Sequence, residues 1–170
     1  VETAWREISL SGGRAVAIVD ECDFEFLSQW SWHSTQPGGS KDPTYAARWV
    51  IVNGKQKRVY MHKQLLGAID GFVIDHINRN SLDNRKANLR HCTNNQNSLN
   101  RPPIPRAIVP YRGVQKLNRG GWQAKIRHSG KKHCLGSYST PEEAARVYDA
   151  AALAHHGVFA VLNFPNGGSQ

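Results

Sequence analysis

Asp75 and His76 stand next to each other, and Asn97 follows further along the chain. The pair sets a carboxylate beside an imidazole. Hydrolysis of a phosphodiester needs a base to activate water, a cation to stabilise charge on the phosphoryl and leaving oxygens, and a frame to hold both. One carboxylate oxygen from Asp75 and one amide oxygen from Asn97 make a hard, sparse ligand set. Such a set suits Mg²⁺, with Mn²⁺ as the alternative. On its own the pair is an ordinary dipeptide, and Asn-rich loops are usually only turns.

The elements that would position these groups are short. Residues 72–74 read as a buried strand that ends in Asp75-His76-Ile77-Asn78, followed by a loop rich in Asn and Arg. A second strand is expected from Leu89 through Thr93. Thr93 with Gln96 reads as a capping box that opens a helix, and Pro102-Pro103 stops it. Residues 1–60 read as mostly β. Residues 8–10 and 15–19 flank Gly12-Gly13 as a hairpin, residues 23–32 suggest a short helix, and residues 36–43 form a loop. Residues 45–52 and 55–61 flank Asn53-Gly54, a pair that favours a type I′ turn. Trp30, Trp32 and His33 could touch a nucleic acid, but core packing is the simpler reading.

Residues 101–110 hold four prolines and read as a stiff linker. Beyond it, strands are expected at 111–117, 122–127 and 132–138. A helix should open on Thr140 and Pro141, with Glu142 and Glu143 at the positive end of its dipole. It should run to His156 and stop at Gly157. Ala144, Ala145, Ala151 and Ala152 let it lie close against the sheet. Along the middle strand Trp122, Ala124 and Ile126 face one way, and Gln123, Lys125 and Arg127 face the other.

Charge separates the two halves. Residues 1–60 are neutral, whereas residues 101–170 hold ten basic groups against three acidic ones, and the whole chain is +9. Between Asp83 and Glu142 there are twelve Lys or Arg and no acid. A solvated face normally mixes signs, so this run points to a polyanionic partner. Arg79, Arg85 and Arg90 suit phosphate clamps or solvated loop charges equally well. Cys22, Cys92 and Cys134 are far apart, which argues against a disulfide frame or a Cys-based zinc site and for a reducing, intracellular setting. No apolar run approaches the roughly 20 residues of a membrane span, and no signal-peptide pattern opens the chain.

Met61-His62-Lys63, Val73-Ile74-Asp75-His76-Ile77-Asn78, Leu82-Asp83-Asn84-Arg85, Asn88-Leu89-Arg90 and the stretch from Thr93 to Asn100 resemble the phage and intron-encoded branch of HNH (ββα-metal) homing endonucleases. The resemblance implies that His76 is the general base and that Asn88 pins the loop between two strands. It implies one divalent metal on Asp75 and Asn97. Asn97 stands where many members carry His. His91 is expected to be exposed or DNA-facing, and His62 to pack under the fold.

Tyr111-Arg112-Gly113-Val114, the run from Trp122 to Arg127, Leu135-Gly136-Ser137-Tyr138, the run from Glu143 to Ala152 and the closing Val161-Leu162-Asn163-Phe164-Pro165 resemble the plant Apetala-type/ethylene-response-factor (ERF) DNA-binding domain. That resemblance implies DNA contacts at Arg112, Gln115, Lys125, Arg127, Lys132 and Ser137. Gln115, Lys125 and Cys134 stand where plant members usually carry Arg, Glu and Trp, so the plant target sequence does not transfer. A solvated outer face is the alternative for this sheet.

The expected fold is α+β. A β-rich segment covers 1–60, a ββα-metal core 61–101, the linker 102–110, and a three-stranded antiparallel sheet on one helix 111–165. The expected function is metal-dependent cleavage of double-stranded DNA by a monomer in the cytoplasm of a phage host or bacterium. A non-catalytic DNA-binding regulator is the rival. RNA binding is disfavoured because the C-terminal sheet lacks interleaved exposed aromatics.

Overall fold

A computed structural model of the protein describes residues 4–11, 15–35, 45–101 and 109–165. The architecture is α+β, built from small antiparallel sheets and helices. The chain divides into two compact units, residues 1–94 and 95–170.

In the first unit, β1 (Trp5–Ser9) pairs antiparallel with β2 (Val16–Asp20). The Gly12-Gly13 turn expected between them lies outside the described residues. Helix α1 (Glu21–Ser28) starts directly after β2, with Glu21 and Asp23 in its first turn, where the dipole favours acids. It ends earlier than the sequence suggests because the chain folds back to bury Trp32, whose indole N–H donates to the Leu27 carbonyl at 2.8 Å. Trp32 joins Ile8, Leu10, Ala17, Val19, Leu27, Ala46 and Met61 in the core.

A second sheet is formed by β3 (His33–Thr35), β4 (Tyr45–Val52) and β5 (Lys55–Tyr60), with β4 in the middle. Asn53 and Gly54 take φ of 52° and 71°, as a type I′ turn requires. The expected loop at 36–43 falls outside the described residues. Helix α2 (Met61–Leu66) has no counterpart in the sequence reading. It begins where β5 ends and stops at Gly67, whose φ is 74°.

Next, β6 (Val73–His76) pairs antiparallel with β7 (Leu89–Cys92). The sequence suggested an apolar buried strand, and the structure differs. Phe72 is 48% exposed and Val73 and Ile74 are half-buried, whereas Asp75 and His76 are each only 6% exposed. The polar end is the buried end because partners arrive there to compensate it. Helix α3 (Asn94–Leu99) follows, and the division between the units falls at its head. Pro102 and Pro103, expected to stop it, are not among the described residues.

In the second unit, β8 (Val114–Lys116), β9 (Trp122–His128) and β10 (Lys131–Tyr138) lie in the order β10-β9-β8, all antiparallel. Helix α4 (Pro141–His156) covers one face and opens on a reciprocal capping box between Thr140 and Glu143. Its Tyr148 and Ala152 pack with Ile126 of β9. β8 begins later than expected. Gly113 has φ of 74°, and a Cβ there would lie 2.0 Å from the Tyr148 ring and 2.7 Å from the Lys125 carbonyl oxygen. The chain thus passes close beneath α4 at a glycine before it can run extended. Asp149 accepts backbone bonds from Asn163 at 2.8 Å and Phe164 at 2.9 Å, which ties the C-terminal segment to α4.

Candidate active site and nucleic-acid interface

The loop between β6 and β7 is held by hydrogen bonds among its own residues and by the N-terminal hairpin. Asn88 is buried. Its Oδ1 accepts the Asn78 N–H at 2.9 Å, its Nδ2 donates to the Asp83 carbonyl at 2.7 Å, and its carbonyl accepts the Ile77 N–H at 2.8 Å. Asp83, 2% exposed, receives Asn78 Nδ2 at 2.8 Å and two guanidinium bonds from Arg85. The Arg85 bonds hold the Asp83 carboxyl below its usual range.

The N-terminal hairpin anchors this loop. Ile18 N–H donates to the Leu82 carbonyl at 2.8 Å, and Asn84 N–H donates to the Ile18 carbonyl at 2.7 Å. Asp20 Oδ2 accepts the Lys86 N–H at 2.8 Å, and Lys86 Nζ reaches Asp23 at 2.7 Å. Residues 1–60 therefore include the brace for the loop, a role the sequence did not disclose.

Asp75 and His76 occupy the last two positions of β6. Arg90, opposite Asp75 in the register, sends Nε and Nη2 to Asp75 Oδ2 at 3.0 and 2.8 Å. His76 sits among rings. The His62 ring lies 5.2 Å away at 81°, and the Tyr45 ring 6.0 Å away at 55°. Tyr60 stacks on His62 at 5.6 Å and 23°. Burial lowers the His76 pKa, while the Asn84 side chain and the Asp75 and Asp83 carboxylates pull it upward. A neutral imidazole is the form that can accept a proton.

His62 is held more strongly. Burial, then the positive charge of His76 and Lys63, pushes its pKa down to about 3. In the unfolded chain the group titrates near pH 6.5. Between those values the unfolded chain binds a proton that the folded chain refuses. The folded state is therefore fully favoured above pH 6.5 and loses stability as the pH falls below it. Thermal melts from pH 7 to pH 4 should show the parent weakening in acid and His62→Phe losing that part of the slope. Equal slopes in the two proteins would contradict the assignment.

Of the three loop arginines, Arg79 is exposed, with φ of 65°. Arg85 is paired with Asp83 and Arg90 with Asp75, each through its guanidinium. His91 is half-buried, with Nε2 3.1 Å from the Gly67 carbonyl. Asn97 is half-buried on α3 and belongs to the second unit, whereas Asp75, His76 and Asn88 belong to the first. Among the described residues no three His, Cys, Asp or Glu gather as a metal-ligand group. The Asp75 carboxylate is a hard oxygen donor, of the kind that suits a divalent cation that keeps several waters.

In the second unit, the strand register gathers one polar face. Gln115 and Ser137 lie opposite Gln123, Cys134 lies opposite Lys125, and Lys132 lies opposite Arg127. Arg127, Lys132, Ser137 and Gln115 are exposed, and Lys125 is half-buried. Lys125 Nζ donates to Gln115 Oε1 at 3.1 Å, and Gln123 Nε2 to Cys134 Sγ at 3.0 Å. No Asp or Glu occurs from Tyr111 to Tyr138. Arg112 Nη1 donates to the Leu99 carbonyl at 3.0 Å and its Nη2 to the Arg101 carbonyl.

A family model described as HNH endonuclease matches residues 57–99. The HNH endonuclease L560 of Acanthamoeba polyphaga mimivirus is 33% identical over 153 residues, which cover 89% of this chain and 76% of that protein. The chain belongs to the HNH endonuclease family. It is also similar to the ethylene-responsive transcription factors ERF018 and ERF010 of Arabidopsis thaliana. Each is 50% identical over 58 residues, 33% of this chain and 30% and 32% of theirs. The similarity thus spans about a third of the length of these plant proteins.

In this HNH endonuclease, sequence reasoning missed the ring cluster around His76. Tyr45, Tyr60 and His62 come from β4, β5 and α2, and no local spacing links them. The one sequence signal was Gly67, a stop placed six residues after Met61, which marks α2 and so the direction of His62. Among the described residues no helix is long and apolar enough to cross a membrane.

Proposed function

We propose that this HNH endonuclease hydrolyses double-stranded DNA, with the second unit holding it on its target. The reading rests on the buried Asp75-His76 pair at the end of β6, within the segment that the HNH family model matches. His76 acts as general base. Its neutral imidazole takes a proton from water as the water oxygen attacks phosphorus. The imidazolium that results is favoured by the Asp75 and Asp83 carboxylates. Asn88 keeps the loop behind His76 in place. Asp75 and Asn97 would hold one divalent cation, Mg²⁺ or Mn²⁺, which supplies positive charge to the phosphoryl and leaving oxygens. Arg79 is the loop arginine available to a phosphate, while Arg85 and Arg90 act through the carboxylates they bind. One such site cuts one strand per event, and the protein works as a monomer inside the cell.

Gln115, Lys125, Arg127, Lys132 and Ser137 form the DNA-reading face. Its amides and cations supply the donors that major-groove base edges accept. DNA affinity should fall steeply with salt, with log K dropping by about 0.9 per unit of log salt for each phosphate neutralised. Lys125→Ala and Arg127→Ala should each cost about 1–3 kcal/mol on the preferred site and alter the sequence selected from a random pool. Lys131→Ala should weaken all sequences alike. Salt-insensitive binding, or an unchanged selected sequence in the first two variants, would place this face away from DNA.

A further inference from the structure

We propose that His62 is a positioning residue for His76, and that with Tyr45 and Tyr60 it forms an aromatic box that fixes the plane of the His76 imidazole. The proposal rests on the reading of His76 as general base and adds a second histidine to the site.

The box draws on four elements. Tyr45 comes from β4, Tyr60 from β5, His62 from α2 and His76 from β6. Each ring of the box also touches another member. Tyr45 lies 5.4 Å from His62 and 5.9 Å from Tyr60, and Tyr60 stacks on His62 at 5.6 Å. The box is therefore braced independently of His76. His62 then meets His76 nearly at right angles, at 5.2 Å and 81°. Perpendicular contact sets the edge of one ring against the face of the other, so rotation of His76 about its side-chain bonds must break it.

His62 is 6% exposed, so its ring is held firmly within the box. His62 cannot serve as the base in place of His76, since its proton affinity is too low at neutral pH. Misplacement of a reacting group by about 1 Å costs roughly 10²-fold in rate.

The test is single-turnover cleavage at saturating DNA by the full chain, with DNA affinity measured in parallel. His62→Leu keeps an apolar filling and removes the ring. It should lower the cleavage rate about 10-fold or more, within the cost of misplacement, and leave DNA affinity unchanged. His62→Phe gives the ring back and should restore most of the rate. Tyr45→Leu, at a half-buried position, should also lower the rate without weakening binding, and it keeps the test open if His62→Leu does not fold. Parental rates in the Leu variants would overturn the proposal. So would a His62→Phe as inactive as His76→Ala, because the His62 nitrogen would then be doing chemistry itself. Normal cleavage by His76→Ala would remove the base assignment and this proposal with it. Loss in His76→Ala alone would remove only the box.

Discussion

His76→Ala is expected to lower the rate of DNA cleavage by about 10²–10⁴-fold, the usual contribution of a general base. DNA binding should survive almost intact. His76 is 6% exposed and offers little surface to the duplex, while +7 of the chain's +9 lies beyond residue 100. The two effects are expected to separate because the proposed base and the basic C-terminal sheet lie on different parts of the chain. Single-turnover rates and binding isotherms on the same duplex measure both. Near-parental cleavage by the variant would remove His76 from the mechanism. A parallel collapse of binding would make it a structural residue.

The second large effect concerns the two oxygen donors, and it distinguishes them. Asp75→Asn removes the charge that neutralises Arg90, whose side chain is only 16% exposed. Breaking a buried ion pair from one side costs about 3–5 kcal/mol, so this variant should lose stability together with cleavage. Asn97→Ala should lose cleavage and little stability, because Asn97 is half-buried on a short helix. Asn97→His exchanges an amide oxygen for an imidazole nitrogen, which suits later transition metals. It should keep part of the activity and shift its preference from Mg²⁺ toward Mn²⁺, Co²⁺ or Ni²⁺. Cleavage rates across that series, alongside thermal melts, test all three variants. An Asn97→Ala protein that cuts like the parent in Mg²⁺ would take Asn97 out of the ligand set.

Much of the architecture was legible because its signals are local. Asn53-Gly54 announces a type I′ turn by needing positive φ twice in succession. Thr140, Pro141 and Glu143 announce the head of α4 by what a helix N-terminus leaves unsatisfied. The alternation in β9 separates Ala124 and Ile126, both buried, from Arg127, which is exposed. What escaped the sequence depends on distant partners. Ile74-Asp75-His76 reads as an apolar strand running out, yet Arg90, fifteen residues away, makes Asp75 a buried residue. Arg112 also bonds the Leu99 and Arg101 carbonyls, thirteen and eleven residues back along the chain. The brace from β2 to the loop crosses more than sixty residues, as in the bond from Lys86 to Asp20. No spacing rule reaches that far. His62 was expected to pack under the fold and is buried there; what no spacing shows is that its ring meets His76.

The central claim is that the Asp75-His76 site cuts DNA. Incubation of supercoiled plasmid with the purified full chain, in Mg²⁺ and in EDTA, tests it most directly. The account predicts conversion to nicked circles in Mg²⁺, none in EDTA, and none with His76→Ala at equal protein. Plasmid that is bound and retarded in Mg²⁺ yet never cut, by parent and variant alike, would contradict it and leave a DNA-binding protein without a working nuclease.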